Sequence, residues 1–139
     1  MFSKVLVAND GSPGGRRALE AAIELAKRIS AQLHMVMVEE LPLFPASIDE
    51  IEEEKDGANH RFAPVIEAAQ AHAKLHGVTI ETHVVAGQVV EVVLRLVREQ
   101  RFDLLIVGFM GHSQLYERII GGTTDRLVRL VPCAVLVVK

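Results

Sequence analysis

Short apolar runs rich in β-branched residues recur along this chain, separated by stretches whose apolar residues repeat at helical spacing. That alternation restricts the fold more than any other feature. Residues 2–8 (FSKVLVA) read as a first strand and end in the turn signal Asn9-Asp10-Gly11. Ser12 then stands as a helix N-cap, with Pro13 at the first helical position. Ala18, Ala22, Leu25 and Ile29 follow at helical spacing, which predicts a helix to about Ser30. Residues 32–38 (QLHMVMV) make a second strand. Strand, helix and strand joined this tightly form a right-handed parallel crossover in nearly every known case.

The pattern continues to the end of the chain. Residues 78–85 (VTIETHVV) predict a third strand, and Val89–Gln100 a helix with Val89, Val93, Leu96 and Val97 on one face. Residues 102–107 make a fourth strand, residues 122–131 a short helix that Pro132 ends, and Ala134–Val138 (AVLVV) a fifth strand. A further long helix is expected over about residues 59–76, with Gly77 as its stop. Pro64 either starts the regular part of that helix or kinks it. Five strands alternating with four helices predict a three-layer α/β sandwich. The 139 residues suffice for one domain, 1–139, with a single closed core. Half the residues are hydrophobic and few are aromatic, so the core must be Val, Ile, Leu and Ala, as in a parallel sheet covered by helices.

Residues 39–57 break the pattern. They carry Pro42, Pro45 and an acidic run, and from Glu39 to Asp56 eight acids face one lysine. This local charge of −7 within a total of −3 leaves +4 on the remainder. The expectation is a long solvated connection, in which Ser47 and Glu50 could cap a short helix. The mildly basic body can tolerate an anionic small molecule, but no clustered Lys/Arg face suggests nucleic acid. No apolar run approaches the ~20 residues of a membrane helix. The opening MFSKVLVAND, with its short apolar run and early Asp, is unlike a signal peptide. Cys133 is the single cysteine, which argues for a reducing compartment, the cytoplasm. Its place between Pro132 and an apolar strand predicts a buried, inert thiol.

Chemistry concentrates in the stretch from Gly108 to Thr124, GFMGHSQLYERIIGGTT. Glycine lets main chain approach a ligand closely, and two glycine pairs, the second opening a helix, offer a row of backbone N–H donors. Such donors at a helix start are a natural seat for phosphate, although a GxxG alone more often marks a plain turn. In an open parallel sheet the ligand sits beyond the carboxyl ends of the strands, where strand order reverses. Asp10 at the end of strand one and Gly108 at the end of strand four would then line one crevice.

The VANDGS start, the G-x2-G-x9-G spacing of Gly108, Gly111 and Gly121, and the terminal PCAVLVV together resemble the universal stress protein family across the whole chain. The resemblance implies a Rossmann-like five-stranded parallel sheet of order 3-2-1-4-5. It also implies binding of ATP or another adenine nucleotide, with or without Mg²⁺. Carried over by position, Ala8, Asn9 and Asp10 would face the nucleoside, and the Val38 main chain would hydrogen-bond adenine. Val107 and Gly108 would lie against the ribose and α-phosphate, and Gly111, Gly121, Gly122, Thr123 and Thr124 would cradle phosphates. Met110 and His112 complete the ligand-facing set. Asp10 should avoid phosphate and accept from ribose hydroxyls or the adenine amino group. By turn preferences alone it is as readily a turn-forming Asp.

Two departures from the family pattern weaken the expected site. Gly122 stands where the family usually has Ser or Thr, and Phe109 and Met110 occupy positions often polar or basic. His112, Arg118 and Arg126 remain to neutralise phosphate charge. The resulting expectations are a dimeric nucleotide-binding regulatory module, a slow ATP hydrolase, or a nucleotide-free scaffold. Neither GxxxxGK[ST] nor GxSxG occurs, and no Ser/His/Asp set shows a recognisable spacing. No catalytic residue is therefore assigned.

The other candidates are bland. His72 and His76 are four apart on a helix, but zinc wants three or four protein ligands and no third is evident. His34 and His83 are expected to pair with backbone or surface groups, and Met35, Met37 and Met110 to fill core. The wholly apolar Ala134–Val138, an edge strand in this topology, invites two-fold pairing with a second copy, so a homodimer is expected.

Overall fold

The computed structural model describes residues 1–40, 48–109 and 122–139, with 48–59 as backbone only. Strands and helices alternate there in the expected sequence: β1 (Lys4–Ala8), α1 (Pro13–Ile29), β2 (Gln32–Glu40), α2 (Ile48–Leu75), β3 (Ile80–Gly87), α3 (Val89–Gln100), β4 (Leu104–Gly108), α4 (Gly122–Leu130) and β5 (Ala134–Val138). Every strand pairing is parallel, and the sheet runs β3-β2-β1-β4-β5. This is the three-layer, Rossmann-like α/β architecture that the alternation and the family resemblance imply.

The two-residue period of the central strands builds both outer layers. Val5, Val7, Leu104 and Ile106 pack on one face with Ala18, Ala22 and Ile23 of α1 and Phe62, Ala69 and Ala73 of α2. Leu6, Leu105 and Val107 turn the other way, onto Val93, Leu96 and Val97 of α3 and Leu127 of α4. A strand buried on both faces cannot alternate apolar with polar, which is why β1 and β4 read as continuous apolar runs. Each such side chain contributes about 1.5–3 kcal/mol when fully buried.

α1 begins as its sequence directs. The Ser12 hydroxyl accepts from the Gly15 N–H at 3.1 Å, and Pro13 opens the first turn. α2 departs from expectation. It starts at Ile48 rather than near residue 59, so the acidic run expected as a solvated connection is helical from Ile48 onward. Glutamate is a good helix former, and carboxylates in the first turns are favoured by the helix dipole. Pro64 lies inside this helix instead of starting it. The helix stops at Leu75, and Gly77 takes the left-handed conformation (φ +71°) that ends it. Pro42, Pro45 and the Ser47 cap lie outside the described residues.

Cys133 is half-buried rather than buried. Burial pushes its thiol pKa up against a backbone hydrogen bond involving Leu105, and the Asp103 charge adds to the rise. The reactive thiolate is thereby disfavoured. β5 forms one edge of the sheet, with Val135 and Val137 packed toward α3 and α4 and Leu136 40% exposed on the other face. Among the described residues, no helix is long and apolar enough to cross a membrane.

Candidate functional site

The strand order reverses at β1, which has β2 on one side and β4 on the other. α1, which follows β1, packs on one face of the sheet, and α4, which follows β4, on the other, the arrangement that leaves a crevice beyond the carboxyl ends of the two strands. Segments from three places reach it.

The first is the β1–α1 turn. Asn9 is buried, and its N–H donates to the Val36 carbonyl at 3.1 Å. Its Oδ1 accepts from the Gly11 N–H at 2.9 Å, and Asp10 Oδ1 accepts from the Ser12 N–H at 2.9 Å and from the Ser12 hydroxyl. Gly11 supplies the positive φ (+83°) that the turn requires. Both side chains therefore fold the turn, and the turn-forming reading of Asp10 holds, with its side chain at the exposed rim.

The second is the junction of β4 with α4. A Cβ at Gly108 would stand 2.8 Å from the Gly14 carbonyl oxygen, so close packing of β4 on α1 demands glycine there whatever binds. The Thr124 hydroxyl donates to the Gly108 carbonyl at 2.9 Å, and the Phe109 N–H donates to the Val138 carbonyl at 2.8 Å. The first bond holds the opening turn of α4 at the end of β4. Helix-start N–H groups and the positive end of the helix dipole are thus brought to the crevice. Thr124 is buried and its hydroxyl proton is committed to this tie, whereas Thr123 and Gly122 are exposed.

The third is the end of β2. β1 stops at Ala8, opposite Val36, while β2 continues to Glu40. Residues two apart on a strand turn their main chain the same way. Val36 faces β1, so the Val38 N–H and carbonyl face the place where β1 has ended. Next to it, Glu39 is 5% exposed and its Oε1 has no hydrogen-bond partner among the described residues. Sequence reasoning missed Glu39 by counting it in the acidic run. The available signal was its place directly after the apolar run of β2, where the two-residue period carries on past Val38.

Ala8, Asn9, Asp10, Val38, Val107, Gly108, Gly122, Thr123 and Thr124 all lie at this end of the sheet. Val107 is 3% exposed in the core against α3 and α4, so its side chain is occupied and only its main chain can face a ligand. Met110, Gly111, His112, Arg118 and Gly121 lie outside the described residues. A cleft of about 300 Å³ opens beside Asn9 and Gly11 between α1 and α2, with Arg16 and His72 in its wall. A larger one, about 490 Å³, lies at the opposite end of the sheet. The histidines also depart from expectation: His34 and His83, expected to seek separate partners, hydrogen-bond to each other at 2.9 Å. The His72 and His76 rings are 4.8 Å apart.

Fold and crevice together define a doubly wound α/β protein with main-chain donors gathered at its switch point. Over residues 1–139 the chain matches the model of the Universal stress protein family. It is 33% identical over 153 aligned residues to universal stress protein YxiE of Bacillus subtilis, covering 100% of both chains. The solved universal stress protein UspA from Lactobacillus plantarum superposes with a TM-score of 0.90 at 21% identity, over 99% of this chain and 98% of that one. Another universal stress protein, solved in complex with cAMP, is 27% identical with a TM-score of 0.77, over 99% of this chain and 97% of that one. The chain belongs to the universal stress protein family.

Proposed function

We propose that this protein is a cytoplasmic, dimeric regulatory module that binds an adenine nucleotide in the crevice between β1 and β4. The Thr124–Gly108 hydrogen bond carries the reading, because it brings the start of α4 to the switch point where a phosphate would need donors. The Val38 main chain suits the adenine edge, and the Ala8, Asn9 and Asp10 rim suits the nucleoside. The exposed Gly122 and Thr123 N–H groups suit phosphate, as would Gly111, Gly121 and His112, with Met110 against the ligand. Arg126, exposed on α4, is the described cation nearest this helix start along the chain. The solved relative at 27% identity, a complex with cAMP, supports a nucleotide of this class. Binding changes the surface that a protein partner meets, and Mg²⁺ accompanies ATP if the triphosphate is the ligand.

A nucleotide-free scaffold is the second reading, favoured by specific observations. Packing alone explains Gly108, and the Thr124 hydroxyl is already used. Calorimetry with ATP, ADP and AMP separates the two readings. Saturable heat with any of them upholds the nucleotide module, and no heat at millimolar ligand establishes the scaffold.

A further inference from the structure

His34 on β2 stands opposite Glu81 on β3 in the parallel register, and His83 lies two residues beyond Glu81. The two-residue period puts all three side chains on one face of two adjacent strands. His34 Nδ1 is 2.9 Å from His83 Nε2, and His34 Nε2 is 3.5 Å from Glu81 Oε2. One donor atom from each of the three lies within 4.8 Å of the others. We propose that His34, Glu81 and His83 bind one divalent transition-metal ion, best matched by Zn²⁺, on the α3 face of the sheet at its β2–β3 edge.

The donor set argues for this class of ion. Two imidazoles and a carboxylate suit zinc and its neighbours, whereas Ca²⁺ takes 6–8 oxygen ligands and Mg²⁺ an octahedron of oxygens. One ligand is fixed and two can move. His34 is 6% exposed, with its ring in a T-shaped contact with Phe102 at 4.9 Å between centroids. Glu81 has a largely exposed side chain, and His83 is half-buried on a strand at the sheet edge. The two imidazoles lie 6° from parallel with centroids 5.2 Å apart. With nitrogens in hydrogen-bond contact, that spacing means coplanar rings meeting edge to edge, rather than stacked faces.

An ion replaces this N–H···N bond. Zinc–nitrogen bonds of about 2.0–2.1 Å at a tetrahedral angle separate two ligating nitrogens by roughly 3.3 Å, so the mobile His83 ring must turn and withdraw a few tenths of an ångström. The former donor moves its ring proton to its other nitrogen, and both imidazoles stay neutral. Burial already lowers the His34 pKa, against the upward pull of Glu81 and with the charges of His83 and Lys4, which favours the ligating form. The Lys4 ammonium opposes the ion but is bonded to the Gln100 carbonyl at 2.8 Å. Glu81 and His83 are open to solvent, which gives the ion access and lets water fill its fourth position. Bound metal would tie the edge strand β3 to β2.

The test is titration of the full chain, stripped with a chelator, with Zn²⁺ alone, followed by calorimetry and by thermal melting. One equivalent should bind and raise the melting temperature, and Co²⁺ in its place should give a visible absorption band of low-symmetry coordination. Glu81→Gln and His83→Gln, at side chains that are not deeply buried, should each weaken Zn²⁺ binding roughly tenfold or more. Their circular dichroism and metal-free melting should match the parent, which shows that they fold. The His72→Gln/His76→Gln variant should bind as the parent does. No uptake by the parent, an unaltered affinity in the Glu81→Gln/His83→Gln double variant, or a loss confined to the His72→Gln/His76→Gln variant would each overturn the site.

Discussion

Asp103 illustrates how much one surface carboxylate can organise when main-chain donors converge on it. Its Oδ2 accepts from the Ser3 N–H at 2.8 Å and the Ser3 hydroxyl at 3.1 Å, and its Oδ1 accepts from the Lys4 N–H at 3.1 Å. Burial raises its pKa, but these bonds outweigh burial and hold it below the ordinary value. A folded-state pKa below the unfolded one stabilises above the unfolded value, about 3.9, and that stability is lost as pH falls through the lower folded value. Asp103→Ala should cost about 1 kcal/mol at neutral pH, discounted for exposure, and the gap to the parent should close in acid. Urea melts at a series of pH values read both effects. Gly122 permits the opposite kind of change. Among the described residues a Cβ there meets nothing within 4 Å, so Gly122→Ser should fit and restore the hydroxyl usual in the family. Nucleotide affinity should rise about ten- to a hundredfold, the worth of one hydrogen bond to a charged phosphate at roughly 1.5–3 kcal/mol, and calorimetry checks it. Gly108 shows the limit of residue-level reading. Its place in a glycine motif suggests a ligand cradle, but its contact with Gly14, on a distant helix, accounts for the missing side chain.

At the scale of elements, α4 is the piece whose placement matters most. Its first turn is tied to β4 through Thr124, so Thr124→Val should cost about 1–2 kcal/mol by leaving the Gly108 carbonyl without its donor. If the start of α4 seats phosphate, the same variant should also weaken nucleotide binding. Thermal melting and calorimetry on one preparation separate the two losses, and a variant that loses stability alone would detach α4 from ligand recognition. Element identity was legible throughout the chain, because two-residue and helical periods are local properties. Boundaries were less so. β3 begins at Ile80 and β4 at Leu104, each two residues later than the apolar runs suggest, since where pairing starts depends on the neighbouring strand. α2 was the larger miss, because the acidic charge from residue 48 onward suggested a connection where helix propensity prevails.

For the whole molecule, β5 is the sheet edge that a second copy would cover. Leu136 is 40% exposed on β5, and Val128 and Leu130 on α4 are 43% and 49% exposed. An apolar edge strand with free main-chain groups is a template for pairing, and a two-fold axis would satisfy both copies. Light scattering during size exclusion should therefore report a dimer. Leu136→Lys should shift it toward monomer while leaving the melting behaviour of the subunit nearly unchanged, because the side chain is already partly in water. A parent that elutes as a monomer at every concentration would remove dimerisation from the functional proposal.

The amino-acid order alone settled the alternation of strands and helices and the parallel crossovers. These follow from periodicity, caps and short joins, which act over a few residues at a time. Tertiary structure decided which side chains meet. His34 and His83 are 49 positions apart, and Thr124 and Gly108 are 16 apart. Their contacts come from strand register and helix packing, set by burial of the two cores as a whole. No local pattern in the chain encodes those distances.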